Sequence, residues 1–483
     1  MPEDLRRLFD AYIALVADRI RGRRSSGRSG PVRAVPNQAA EIAATVNELQ
    51  KSAQFEELVH RTRDEFRDDF HSTRSEGRWA RAVSTFFKVS GYYCSPGGSA
   101  AAGPVELFAT YCDAFSRRVR TVRYLAPLEF LEFARERMDC RSFTVRRFSK
   151  AELDEILRAE VCRTFYRYAV ADTAQLSCYW FASIVREEEV HPISTFITVD
   201  LSASGSVFPS YRPPPEPIEG TIRVLALFDW SLATPAADDL PEGWSRFRIP
   251  FVLKWSDHLL DQPRGAPDVS ALEMDSRFDG DGEEYLVPLV YAEVDDPTCA
   301  KLEDFCNRVG AILKKIGPEH PWHFFEVAMT YFIRAFLTQG IDQILWHMTA
   351  LEALLGGGPP EPVRRVGHRL GAMLGNTQAE QRRTRKRFNE LYDLRCDLVH
   401  GNRIVDSIAS AELAEMRDLA RKAVVWFAHW LHLLWPEVSV ATTLPDRSDL
   451  LTVLDLDKQR RARVGTLIAH LPPLFPRIGE WVE

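Results

Sequence analysis

Arg395 and His400, five residues apart in LYDLRCDLVHGN (391–402), are the two side chains whose types and spacing most suit work on a phosphate. Around them Phe388, Leu391, Tyr392, Leu398 and Val399 recur at helical intervals and predict the core face of a helix over 377–400. Arg395 falls on that face. A guanidinium stays charged at any relevant pH, and burying it alone is very costly. It must therefore meet a carboxylate, a subunit interface or the phosphate of a ligand.

The helix expected over 341–355, IDQILWHMTALEALL, carries the opposite anomaly: Glu352 lies within a stripe of Leu345, Met348, Leu351 and Leu355. One reading of the two embedded charges is a buried ion pair, Glu352 with Arg395, of purely structural meaning. His400 supports another. Five residues of α-helix turn through roughly 140°, so Arg395 and His400 do not stack but can line two sides of one cleft at the helix end, where Gly401 is suited to terminate the helix. An imidazole with an ordinary pKa of about 6.5 can exchange protons with a 2′-hydroxyl or a leaving oxygen. A forked guanidinium can stabilise charge on a pentavalent phosphorus. Together they suit RNA cleavage by transphosphorylation, without a metal.

A second Arg-x4-His, Arg186 to His191, follows an apparent strand, and the acids between its ends would repel a phosphate. Two basic clusters flank the first motif: Arg382, Arg383, Arg385, Lys386 and Arg387 in QRRTRKR, and Arg364, Arg365, His368 and Arg369 in RRVGHR. They read either as solvated helix faces or as a track for an RNA backbone. His429 with His432, and His320 with His323, lack third and fourth ligands for a metal and read as packed or interface histidines. FDGDGEE (278–284) lacks the spacing of a calcium loop and reads as an acidic turn. No metal site and no cofactor are expected.

The elements that must position these residues follow from composition and pattern. The chain has 483 residues, too many for one ordinary core, and its 45% hydrophobic and 27% charged content is that of a globular protein. Its net charge of −7 argues against non-specific coating of nucleic acid but allows a local basic site. The eight cysteines contain no Cys-x-x-Cys pair. No export signal and no run long enough to span a bilayer is apparent, so a cytoplasmic protein with reduced thiols and no membrane association is expected.

The expected architecture is α+β and multidomain. Residues 1–94 read as a helical region with a flexible basic segment at 21–36, and SPGGSAAAGP (95–104) as a linker. The stretch 105–175 is mixed, with a capping box at Ser149 and Glu152. From 176 to 297 the runs TFITVDL, TIRVLALFDW, IPFVLKW and EYLVPLVYAEV predict an antiparallel β-rich domain, with Pro250 and Pro288 marking edges or bulges. Helices are predicted near 299–316, 322–339, 341–355, 361–374, 377–400 and 408–435, the fifth opened by a Thr377/Glu380 capping box. Their short connections indicate an all-α bundle over 298–437, followed by a tail at 438–483.

LWHMTALEALLG, an arginine-bearing helix and then RFNELYDLRCDLVHGN together resemble the HEPN domain, particularly its Apea-like bacterial branch. The resemblance covers about 140 residues, 298–437. It implies a helical bundle whose Arg-x4–6-His motif ends a late helix, metal-independent endoribonuclease activity, a role in anti-phage defence, abortive infection or toxin systems, and a homodimer that pairs two motifs in one cleft. On that resemblance Arg395 and His400 are catalytic, and Tyr392, Asp397, Glu352 and Asn402 support them. Active members often carry Asn, Asp or His directly after the arginine; this chain has Cys396, with Asp397 one place later. The apolar run VVWFAHWLHLLW (424–435) exceeds what one core-facing stripe needs and is the expected dimer surface. The N-terminal half would then sense a protein or phage-derived trigger, or restrain the nuclease. The alternative is a non-catalytic module of the same type that binds RNA or a protein partner.

Overall fold

The computed structural model describes residues 3–25, 38–66, 76–93, 104–165, 170–189, 195–196, 198–200, 216–236, 247–263, 269–313, 316, 320, 322–338, 340–357, 363–401, 410–434 and 447–456. Residues 26–36 of the expected basic segment, the linker up to Gly103, most of the C-terminal tail and Asn402 lie outside them, while residues 21–25, expected to be flexible, continue the first helix. The chain is mixed α+β, with antiparallel sheet in its middle and a helical C-terminal region. It divides into two compact units: Met1–Pro127 with Arg147–Arg212 and Pro250–Glu273, and Leu128–Arg146 with Pro213–Ile249 and Met274–Glu483.

In the first unit, α1 (Glu3–Ser25), α2 (Gln38–Leu49), α3 (Ala53–Phe66), α4 (Glu76–Tyr93) and α5 (Pro104–Ser116) enclose an aromatic core. Leu5, Phe9, Tyr12 and Val16 recur every three or four residues along α1, and all are buried. Phe9 and Phe86 both pack on Tyr111, with centroids 4.9 Å and 4.8 Å away, and Thr62 hydrogen-bonds the Tyr111 hydroxyl. Four strands run in the order β5 (Trp180–Glu189), β1 (Val119–Leu128), β9 (Phe251–Ser256), β7 (Thr198–Asp200), with β9 antiparallel to both β1 and β7. Pro250 sits just before β9, where its missing N–H costs no ladder bond, so β9 is an inner strand and not the edge that the proline suggested. The short strands β6 (Thr195–Phe196) and β10 (Gln262–Pro263) pair in parallel. Three short helices complete the unit: α6 (Lys150–Ile156), α7 (Ala159–Phe165) and α8 (Thr173–Leu176). Ser149 and Glu152 form the expected capping box on α6.

The second unit opens with β2 (Phe130–Phe133), β3 (Arg137–Cys140) and β4 (Phe143–Arg147), the last two an antiparallel pair. β13 (Val290–Val294) lies between β2, to which it is parallel, and β8 (Thr234–Pro235). β11 (Met274–Phe278) and β12 (Glu284–Pro288) form a separate hairpin, whose turn is the expected acidic FDGDGEE stretch. The strands of 176–297 thus divide between the two units. One run was misread outright: TIRVLALFDW lies in and just after a helix, α9 (Glu216–Leu227). Its β-branched residues suggested a strand, but Ile218, Thr221, Ile222 and Leu225 are buried at helical spacing behind acidic Glu216 and Glu219.

Helices α10 (Asp296–Leu313), α11 (His323–Phe336), α12 (Ile341–Leu355), α13 (Val363–Leu374), α14 (Gln378–Val399) and α15 (Ser410–Leu434) follow the predicted set closely. A further helix, α16 (Arg447–Asp455), falls in the stretch expected to be tail, and it packs on α13. Val424, Val425, Trp426, Phe427 and Ala428 are buried within this unit, where α15 packs against α9 to α14. Those five residues are therefore core, not a spare apolar face for a second copy. Among the described residues no helix is long and apolar enough to cross a membrane.

Candidate functional site at the end of α14

Two local devices fix α14. At its start Thr377 adopts an extended backbone, its hydroxyl accepts from the Glu380 N–H at 3.2 Å and its own N–H donates to the Glu380 carboxylate at 3.0 Å, the predicted capping box. Along its first half it lies close against α13: a Cβ at Gly371 would stand 2.6 Å from the Gln381 carbonyl oxygen, and one at Gly367 would stand 2.9 Å from the Phe388 ring. Only glycine permits that approach. The buried stripe is Phe388, Leu391, Leu394 and Leu398. Tyr392, Arg395 and Val399 form the next row round the helix, at the margin of the core, which is why Val399, expected inside, is 47% exposed.

Arg395 is consequently half-buried. Its guanidinium carbon lies 5.6 Å from the centre of the Tyr392 ring, one turn back. Its Nε is buried with no hydrogen-bond partner. Glu352, half-buried on α12, faces the same place: burial raises its carboxyl pKa and the Arg395 charge partly offsets the rise. Tyr392 feels both charges, its hydroxyl raised first by burial and then by Glu352. The expected ion pair is not formed, since among the described residues Arg395 meets no carboxylate within 4.0 Å.

Two other arginines of the unit, both more deeply buried, are closed by carboxylates. Arg369, expected with the basic cluster, is buried; its Nε and Nη2 donate to Asp455 of α16 at 2.9 Å and 2.7 Å, and its Nη1 donates to the Leu355 carbonyl at 2.6 Å. Arg421 meets Asp418 at 3.0 Å and Asp229 at 3.3 Å. Sequence patterning missed the Arg369 clamp, although Arg369 sits between Val366, Leu370 and Met373 on an apolar stripe, the same signal that singled out Arg395. Arg447, at the start of α16, donates to the Glu352 carbonyl at 3.0 Å and so ties the C-terminal end of α12.

His400 caps α14 and is exposed. Its N–H donates to the Cys396 carbonyl at 2.9 Å, and Gly401 adopts the left-handed backbone, φ 73°, that ends the helix as expected. Asp397 is exposed and Cys396 half-buried. Of the basic residues, Arg364, Arg365, Arg382, Arg383, Arg385 and Lys386 are exposed. Arg387 is held by Glu415 at 2.6 Å and Glu390 at 2.9 Å, and Lys386 stands 3.7 Å from Glu390. That leaves Arg382, Arg383 and Arg385 with no ion pair within 4.0 Å among the described residues.

The competing Arg-x4-His is spent on structure at its arginine: Arg186 in β5 pairs with Glu188 at 2.9 Å and lies over Tyr124. His191 lies outside the described residues. His320 accepts from the Trp322 N–H at 3.0 Å, and His323 stands 3.4 Å from Glu326. Among the described residues no group of three or more His, Cys, Asp or Glu is placed to hold a metal ion. Compared with protein-family models, curated proteins and solved structures, the chain matches none of them.

Proposed function

We propose that this protein is a metal-independent endoribonuclease of the HEPN type, acting in the cytoplasm in anti-phage defence or stress. Arg395 stabilises charge on the phosphorus under attack, and His400 exchanges protons. The 2′-oxygen bonds to phosphorus, the 5′-oxygen leaves, and the product ends in a 2′,3′-cyclic phosphate. One imidazole cannot serve both oxygens at once, so two copies, each contributing Arg395 and His400 to a shared cleft, complete the site. Arg382, Arg383 and Arg385, with Arg364 and Arg365, carry the RNA backbone. Tyr392 and Glu352 hold the orientation of Arg395. The first unit senses a trigger or restrains the nuclease.

The carrying observation is the open arginine: a half-buried guanidinium with no carboxylate within 4.0 Å among the described residues, on the helix that ends in exposed His400. The test is incubation of purified protein with total RNA in EDTA, with analysis of product ends. Cleavage that survives EDTA, leaves 2′,3′-cyclic phosphate and disappears in Arg395→Ala and His400→Ala supports the reading. RNA binding without cleavage would replace it with the non-catalytic module. Inhibition by EDTA, reversed by a divalent ion, would overturn the mechanism.

A further inference from the structure

The β11–β12 hairpin is the most apolar exposed feature of the second unit. Seven large hydrophobic residues are exposed among the described residues, and three of them, Phe278, Tyr285 and Leu286, lie on this one hairpin. Phe278 and Leu286 are the two most exposed of all, at 68% and 60%. The register pairs Phe278 with Glu284 and Ser276 with Leu286, so both apolar side chains project from one face, together with Met274 and Pro288. Arg277, Asp275, Tyr285 and Val287 take the other face, where Arg277 and Asp275 stand 3.5 Å apart.

The hairpin sets its own shape. Asp279 accepts from the N–H groups of Asp281 and Glu283 at 2.9 Å and 2.8 Å, and Gly282 takes the left-handed backbone, φ 82°, that closes the turn. Ser276 hydrogen-bonds Glu284 across the two strands. Asp281 and Glu283 are left exposed at the tip, with no ion pair within 4.0 Å among the described residues. A two-stranded hairpin alone is at best marginally stable in water. A preformed one presenting an aromatic ring, a leucine and free carboxylates fits a partner surface rich in arginine. Guanidinium planes stack on aromatic faces and pair with carboxylates through the same group.

The chain supplies such a surface. Arg382, Arg383 and Arg385 on the first half of α14 are exposed and lack ion pairs within 4.0 Å among the described residues. We propose that the hairpin 274–288 docks on the Arg382/Arg383/Arg385 face of α14 in a second copy of the chain. Phe278 and Leu286 lie against the guanidinium planes and side-chain stems, and Asp281 and Glu283 pair with the arginines. Each copy carries both surfaces, so a two-fold arrangement makes the contact twice. The contact does not depend on α14 carrying RNA; if it does, the hairpin occupies the arginines that the backbone would use, so this association excludes RNA, and the shared-cleft pair forms only on RNA in its place.

Sedimentation velocity of the full chain, in low and in high salt, tests this with two reversed variants. One is Asp281→Lys with Glu283→Lys; the other is Arg382→Glu with Arg383→Glu. The wild type is expected to self-associate in low salt and dissociate in high salt, and each variant alone is expected to be a monomer. An equimolar mixture of the two is expected to associate again, because one contact is then native and the other is reversed on both sides. Phe278→Ser with Leu286→Ser, on exposed positions, should weaken association at least tenfold without changing the melting temperature. A wild type that stays monomeric in low salt, either charge variant that still associates, or a mixture that does not recover would each overturn the proposal.

Discussion

Arg120 and Arg395 each stand near a half- or fully buried carboxyl, and the two places are finished differently. In the first unit, Arg120 of β1 is 3% exposed and donates to Asp261, equally buried, at 2.8 Å, with Glu188 3.5 Å away. Glu188 also takes Lys254 at 2.8 Å and the Tyr124 hydroxyl, and Ser256 closes Asp261 at 2.6 Å. Glu188 is held down to about 2: burial alone would raise it, but its hydrogen bonds from Lys254, Tyr124 and Arg186 win. At the end of α14, Arg395 has Tyr392 beneath it and Glu352 within electrostatic reach, and no carboxylate within 4.0 Å among the described residues. A cation closed on two sides holds strands together. One left open can receive a ligand.

The largest effect should come from breaking the closed case. Arg120→Ala leaves Asp261 buried without its cation, which typically costs about 3–5 kcal/mol. Denaturant midpoints should fall accordingly. A shift below about 1 kcal/mol would mean that the network is not what secures β1.

Acidification probes the same region through His258, next to this network. Burial first, then the charges of Arg117, Arg120 and Arg158, pushes its imidazole down to about 4, against the pull of Asp257. With its folded-state pKa depressed, the unfolded chain takes up the proton first. Stability from neutral His258 is therefore complete above the ordinary value of 6.5 and is lost as pH falls toward 4, on the order of 3 kcal/mol. Denaturant midpoints at pH 7.5 and 5 should differ in wild type, and the difference should shrink in His258→Gln.

Next in size is the seat of the open arginine. Gly371→Ala would drive a methyl to 2.6 Å from the Gln381 carbonyl oxygen and force α14 off α13. Overpacking of this kind typically costs about 1–3 kcal/mol. Thermal melting should report it, and any activity that depends on the end of α14 should fall by more than stability explains.

The smallest stability effect should come from Glu352→Gln. With no direct ion pair to Arg395 and a carboxyl already raised by burial, neutralising it should change stability by less than about 1 kcal/mol. A loss of several kcal/mol would show that the two charges do act as a closed pair and would erase the contrast drawn here.

What the sequence made legible follows the range of the forces involved. Helices α10 to α15 and both capping boxes were readable because they depend on residues three or four apart. Arg395 and His400 were singled out by the same periodicity and by Gly401. The α9 run was misread because β-branched residues lean toward strand, and only the buried spacing that begins at Ile218 shows the helix. Glu352 was placed opposite Arg395 correctly in location but not in contact, because a shift of one row round α14 moves Arg395 from the core to its margin. The Arg369–Asp455 clamp joins residues 86 apart, and no local pattern encodes such a pair. Residues 424–428 looked like spare apolar surface because one helix's pattern does not reveal how many neighbours it has; α15 has neighbours on many sides.

The central claim is that Arg395 serves a ligand while Arg120 serves the fold. The most direct test takes Arg395→Ala through two readings on one preparation, thermal melting and cleavage of RNA in EDTA. The account predicts a melting temperature close to that of the wild type together with loss of cleavage. A large fall in melting temperature with cleavage retained would contradict it, and would make Arg395 a structural cation like Arg120.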